Sequence, residues 1–161
     1  MDNPIRRPEE ILAYRTLRRI LASKPRALWT VTPTDNVLTA MRIMADKDIG
    51  LLVVMDRGTL AGALSERDCA RRVLLAKKSP ESTPVADIMV RKVVTIDAGY
   101  TFADCLRLMH QHSIRHLPVV DNGKVITVVS IRDLLSEAVT HNAKIIEQLE
   151  RERLMIFTSM A

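Results

Sequence analysis

Ser65, Arg67 and Asp68 stand in the stretch Gly62-Ala63-Leu64-Ser65-Glu66-Arg67-Asp68, and Ser130, Arg132 and Asp133 recur in Thr127-Val128-Val129-Ser130-Ile131-Arg132-Asp133. In each stretch an apolar run ends in a Ser that can open a helix. A hydroxyl there lies beside unpaired backbone amides, which suits a phosphate, and the nearby Arg can add a charged fork to the same group. An ionised Asp only accepts hydrogen bonds, so one placed three residues after the Ser suits a vicinal diol such as that of a ribose. Gly62 lets another group come close to the backbone. Together these residues describe a site for a nucleoside phosphate. Ser-x-x-Asp is also close to a capping box, in which both side chains serve only the first amides of the helix. Capping explains either copy alone, but not why Arg stands between Ser and Asp in both. The two roles are compatible, with Ser capping and Asp reaching a ligand.

The elements that must position these residues follow from an internal repeat. Shifted by 65 residues, 29–68 aligns with 94–133 without a gap, and 11 of the 40 pairs are identical. Repeats of this kind decide the architecture before any local reading. Val37, Ala40, Met41 and Met44 have the spacing of an amphipathic helix, as do Phe102, Cys105, Leu106 and Met109. Each stripe leads to two short β-rich runs around a Gly turn, Asp56-Arg57-Gly58 or Asp121-Asn122-Gly123, which predicts a hairpin. A second helix is expected from Ser65 or Ser130, with Val73 and Leu74, or Ala138 and Val139, on its buried side. Each unit therefore reads strand (Thr30–Thr32 or Thr95–Asp97), helix, strand, strand, helix. The chain divides into a basic N-terminal helical segment (1–28), a first repeat (29–78), a polar linker with two prolines (79–88), a second repeat (89–140) and a C-terminal helix (141–161). Helical patterns over 8–23, with Ile11, Leu12, Leu17, Ile20 and Leu21, and over 136–157, with Ile145, Leu149 and Ile156 on one side, flank the pair. One unit buries too little alone, so the two are expected to pack together.

Composition narrows the function classes. The 161 residues are 47% hydrophobic, enough for a core, and 3% aromatic, too few for the stacking platforms of a single-strand nucleic-acid binder. Residues 1–28 hold seven basic side chains against three acidic ones, so most of the net +5 lies there and the body is nearly neutral. No apolar run is long enough to span a membrane, and the start of the chain lacks the pattern of a signal peptide. Two cysteines, Cys69 and Cys105, fit a reducing, cytoplasmic setting and core packing. His110, His112 and His116 lack the partners of a metal site, and no metal is required. No Walker loop, dinucleotide-binding GxGxxG, catalytic triad or carboxylate pair is present, so nothing points to an enzyme.

The repeat, the Gly62-x-x-Ser65-x-x-Asp68 motif and the stretch Ile114-Arg115-His116-Leu117-Pro118-Val119-Val120-Asp121 resemble a stand-alone pair of cystathionine-β-synthase (CBS) domains over roughly residues 20–140. The resemblance implies an α/β (α+β) fold. In it, two pseudo-symmetric units pack through their sheets as a Bateman module, which commonly forms a homodimer. It also implies clefts between the repeats for AMP, ADP, ATP, NAD or S-adenosylmethionine, with AMP first. On that pattern the first cleft comprises Thr30, Thr32, Ile49, Leu51, Leu52, Ser65, Glu66, Arg67 and Asp68. The second comprises Thr95, Asp97, Ile114, Arg115, His116, Leu117, Pro118, Ser130, Arg132 and Asp133. Asp68 and Asp133 would take the ribose diols, Ser65 and Ser130 with Arg67 and Arg132 the phosphates, and aliphatic walls the adenine. Thr127 in place of Gly62, and Arg115 and His116 in place of Gly50 and Leu51, make the two clefts inequivalent. The expected function is a regulatory, signal-transducing module acting on an unidentified protein. The alternatives are a dimerisation scaffold without ligand sensing, or nucleic-acid binding through the basic N-terminal segment.

Overall fold

The computed structural model of the chain describes residues 17–22 and 27–159, the side chains of 19 and 156–159 excepted. In chain order its elements are α1 (Leu17–Ala22), β1 (Thr30–Val31), α2 (Val37–Lys47), β2 (Leu51–Asp56), β3 (Thr59–Ser65) and α3 (Glu66–Cys69), which a π-helical turn (Ala70–Leu74) continues. A 3-10 turn (Val85–Asp87), α4 (Phe102–Gln111), β4 (His116–Asp121), β5 (Lys124–Ser130) and α5 (Ile131–Ser159) follow. The strand-helix-strand-strand-helix order is thus complete in the first copy, while in the second the strand expected at Thr95–Asp97 is reduced to a single bridge from Ile96 to Val119. Most of the basic N-terminal segment, with Ile11 and Leu12, lies outside the described residues.

Two compact units result, one holding Arg26–Asp97 with His116–Val129, the other Ala98–Arg115 with the chain from Ser130 on and α1. In the former, β1 runs parallel to β2, and β2 antiparallel to β3. The hairpin turn is made by Arg57 and Gly58, both at positive φ (47° and 81°), and Asn122 and Gly123 repeat it between β4 and β5 (47° and 76°). Two successive left-handed residues match the twist of a two-residue hairpin, which explains the Gly in each copy. Val31 pairs with Val54, and its counterpart Ile96 bridges Val119 in the same parallel sense. Val31, Val37, Ala40, Met44, Leu52, Val54, Leu64, Cys69 and Val73 form the core, closed by Val85, Ile88 and Met89.

The segment after the first motif is tied into this core. The N–H groups of Val37 and Leu38, left without partners by the start of α2, donate to the carbonyls of Thr83 and Pro80 at 3.0 Å each. Asn36 caps the same helix, accepting from the Thr39 amide at 2.8 Å. The linker therefore completes the first repeat.

In the other unit α4 packs on α5, with Phe102, Cys105, Met109 and Leu134 buried. The helix expected from Ser130 and the separate C-terminal helix are one continuous element, because 131–159 contains neither Pro nor Gly. Its sheltered face follows Leu134, Glu137, His141, Ile145 and Gln148. Val139, expected on the buried side, is exposed on another face, as is Leu149, grouped with Ile145 in the sequence, and Leu74 of the first copy is exposed where Val73 is fully buried. Ile156 lies outside the described side chains.

Candidate functional site

Strand register brings the first set of residues together. Thr30 pairs with Val53 on β2, and Leu51 pairs with Ser65 on β3. Paired residues share a face and alternate along each strand, so Thr30, Leu51, Val53, Ala63 and Ser65 lie on one side of the sheet. Val31, Leu52, Val54 and Leu64 lie on the other, facing the core. Leu51 and Ser65 stand at the same end, where β3 runs into α3. Ile49 and Leu52, grouped with the first cleft in the sequence, are placed in or against the core, Leu52 with no exposed surface. Thr32 begins a turn in which its amide donates to Asp35 Oδ2 at 2.6 Å and its hydroxyl meets that of Thr34 at 3.1 Å.

At the strand end Ser65 and Asp68 form a reciprocal capping box. The Asp68 amide donates to Ser65 Oγ at 3.2 Å, while the Ser65 amide and hydroxyl both donate to Asp68 Oδ2. The second copy repeats it, with the Ser130 amide and hydroxyl 2.7 and 2.8 Å from Asp133 Oδ2 and the Asp133 amide 3.3 Å from Ser130 Oγ. Each first helical amide also finds a carbonyl from the preceding strand connection, Glu66 to Gly50 at 3.2 Å and Ile131 to Arg115 at 2.8 Å. Capping is therefore observed in both copies. The box uses one carboxylate oxygen and leaves Asp68 Oδ1 to an ion pair with Arg72 Nε at 3.9 Å. Sequence reasoning missed Arg72, whose signal is its position one helical turn after Asp68.

A third box calibrates what this geometry means. Thr101 and Asp104 make the same reciprocal bonds at the start of α4, with distances of 2.7 to 3.1 Å. These bonds, with the Arg107 guanidinium as a lesser contribution, hold the Asp104 carboxyl below its usual range. This box follows a loop rather than a paired strand and carries no Arg between its two members. A capping box alone is thus no mark of a ligand site; its junction with a strand and its Arg set the two motifs apart.

Gly62 does admit a close approach, and the approaching group belongs to the protein. A Cβ built on Gly62 would stand 2.9 Å from both the Val90 carbonyl oxygen and Met89 Sδ. Val90 bridges Ala63 through two backbone bonds of 2.8 and 3.0 Å. The glycine is needed where the chain leaving the first repeat returns to the edge of its sheet.

His116, grouped with the second cleft in the sequence, lies beside the first motif. A Cβ on Gly50 would meet its ring at 3.2 Å and Glu66 Oε2 at 3.3 Å, so the absent side chain at Gly50 leaves the room that both groups use. Of the other second-cleft residues in this unit, Leu117 and Pro118 are buried, Thr95 is half-buried and Asp97 exposed. The Ile96 amide donates to the Pro118 carbonyl at 3.0 Å and the Val120 amide to the Ile96 carbonyl at 2.7 Å. In the other unit Ile114 is half-buried, Arg115 and Arg132 are exposed, and Ser130 and Asp133 form the box. Burial, assisted by Asp68 and Asp104 respectively, pushes the thiols of Cys69 and Cys105 up to about 11, which makes them core groups rather than nucleophiles. Among the described residues no helix is long and apolar enough to cross a membrane.

Comparison with known proteins accounts for this architecture. The CBS domain family model matches residues 18–75 and again 85–140. The mitochondrial CBS domain-containing protein CBSX3 of Arabidopsis thaliana is 33% identical over 158 residues, covering 92% of this chain and 75% of that protein. The CBS domain-containing protein YhcV of Bacillus subtilis is also 33% identical, over 65% of this chain and 74% of its own length. Among solved structures, a CBS-domain protein of Burkholderia ambifaria named as a candidate signal-transduction protein superposes with a TM-score of 0.76 at 41% identity, covering 78% of this chain and 95% of that one. With its duplicated fold, its two Ser-x-Arg-Asp strand-to-helix junctions and these matches, the chain belongs to the CBS domain family and carries a pair of CBS domains.

Proposed function

We propose that the chain is a regulatory module that takes an adenosine-containing ligand at the Ser65–Asp68 motif, AMP first, with ADP, ATP, NAD and S-adenosylmethionine in the same class. The observation that carries this reading is the register. It sets Thr30, Leu51 and Ser65 on one sheet face, away from the core, at the end where Asp68 keeps Oδ1 outside its capping box. A diol hydroxyl would donate to that oxygen, the Ser65 hydroxyl and Arg67 would meet phosphate, and aliphatic Leu51 would meet the base. The Ser130–Asp133 box offers the same chemistry in the second copy. The ligand would act by favouring one conformation or partner surface, to the extent that its affinity differs between the two states. Two buried, neutral thiols suit work in a reducing compartment.

Calorimetry with AMP, ATP, NAD and S-adenosylmethionine tests this. Saturable heat from AMP or a relative is expected, and silence from all four at high micromolar concentration would overturn the sensing function. The scaffold reading is favoured by a separate observation. Leu74 and Val139, which align across the repeat, are 56% and 70% exposed on the two motif helices, with Leu75 and Leu135 beside them. A homodimer that covers these side chains would be seen by light scattering with or without nucleotide.

A further inference from the structure

Arg72 touches both the candidate ligand acceptor and the connection between the repeats. Its Nε lies 3.9 Å from Asp68 Oδ1, and its Nη1 donates to the Ile88 carbonyl at 2.9 Å. Ile88 leads directly into the segment seated on the sheet edge. The Met89 amide donates to Val85 at 2.9 Å, the Val90 amide to Ala63 at 2.8 Å, and Met89 and Val90 fill the space over Gly62. Arg72 belongs to the π-helical turn Ala70–Leu74, whose widened spacing is closed by the Leu75 amide on the Ala70 carbonyl at 3.0 Å. Such turns are found mostly where a helix is re-aimed for function.

We infer that Arg72 is a positioning residue that orients Asp68 and makes its occupation felt at Ile88–Val90, the start of the second repeat. The inference rests on the proposed ligand reading for Asp68. A free Arg72 side chain must lose considerable rotamer freedom to hold both partners. A diol hydroxyl bound to Oδ1 fixes the carboxylate, and the guanidinium facing it is then partly ordered before it grips the Ile88 carbonyl. Ligand and connection therefore stabilise each other, and the coupling must be equal in both directions. A shorter polar or apolar side chain cannot bridge the two groups. Lys, a single-point donor without the planar fork, can serve one of them at a time.

The test is hydrogen exchange at the Met89 and Val90 amides of the full chain, with and without saturating AMP, alongside AMP calorimetry on wild type, Arg72→Met and Arg72→Lys. In wild type AMP is expected to slow both amides about twofold to fivefold, the range an exposed ion pair supports. Arg72→Met should speed their exchange without ligand, abolish the AMP effect and weaken AMP by a similar factor. Arg72→Lys should recover part of the affinity but not the coupling, and it remains informative if the Met variant folds poorly. If AMP still slows these amides in the variants, the relay is wrong. If ligand-free exchange at Met89 and Val90 is the same in all three proteins, the tether is wrong although AMP binds. If no nucleotide binds wild type, the ligand reading fails and takes the relay with it. Faster ligand-free exchange in Arg72→Met would then show the tether surviving as a structural contact.

Discussion

The two copies of the motif begin alike and end differently. Both strands end in Ser, both Ser residues share a box with an Asp three residues later, and both first helical amides are capped by a carbonyl 16 positions earlier. Beyond that point, α3 runs only from Glu66 to Cys69, widens into the π-helical turn and stops at Lys77, which has a φ of 55°. α5 continues unbroken from Ile131 to Ser159. Pro80 and Pro84 force the first copy out of helix, and the chain then returns to its own sheet over Gly62. The second copy has no such stop, and Thr127, buried at 3% exposure, stands where Gly62 does. The lesson is that a glycine inside a ligand motif can be demanded by packing. Its place in the motif says where the chain comes back, whether or not a phosphate is proposed to bind there.

Exchanging these residues should give the largest effect and is the sharpest way to break the comparison. Gly62→Thr places a Cβ within 2.9 Å of a backbone oxygen that is itself paired with Ala63, so the 88–90 segment must shift. Overpacking of this kind costs about 1 to 3 kcal/mol, measurable by urea unfolding. Thr127→Gly should cost only about 1 kcal/mol, chiefly through backbone entropy. Equal losses from the two exchanges would mean that the returning segment does not explain the glycine.

What could be read in the sequence follows the same division. The Gly turns and the stripes Val37-Ala40-Met44 and Phe102-Cys105-Met109 were legible because turn chemistry and helical period are local properties. The boxes were legible as caps, and the repeat located them twice. The exposure of Leu74 and Val139 was not legible, because apolar type says little about which face a neighbouring element covers. The continuity of α5 was hidden by a boundary drawn between 140 and 141, although 131–159 holds no Pro or Gly to break a helix. His116 beside Gly50 and Glu66, and Arg72 on Ile88, depend on how distant segments meet, which no local period encodes.

Next in size are the three capping boxes, which separate capping from binding. Asp68→Ala and Thr101→Ala each remove one box and should each cost about 1 kcal/mol in unfolding experiments. Only Asp68→Ala removes a candidate ligand acceptor. It should weaken AMP about tenfold or more, as expected for a hydrogen bond to a charged group, whereas Thr101→Ala should leave the affinity unchanged. An equal loss of affinity in both variants would show that helix integrity, and not the carboxylate, supports binding.

The smallest effect expected is a pH dependence at the Thr101–Asp104 box, outside the motifs. Hydrogen bonds from the Thr101 hydroxyl and amide favour the charged form of Asp104 and hold its folded pKa below the ordinary value of 3.8. A carboxyl with a depressed folded pKa contributes stability that is fully present above its unfolded pKa and is lost as pH falls through the folded one. Wild type should therefore lose the contribution of this box below about pH 4. Asp104→Asn cannot titrate, so the difference in stability between it and wild type should shrink as the acid is approached. Urea unfolding of the two proteins between neutral and acid pH measures that difference, and a constant gap would contradict the assigned cause. The Arg107 partner is solvent-exposed and Asp104 partly so, so added salt should lessen the part owed to Arg107 and leave the part owed to Thr101.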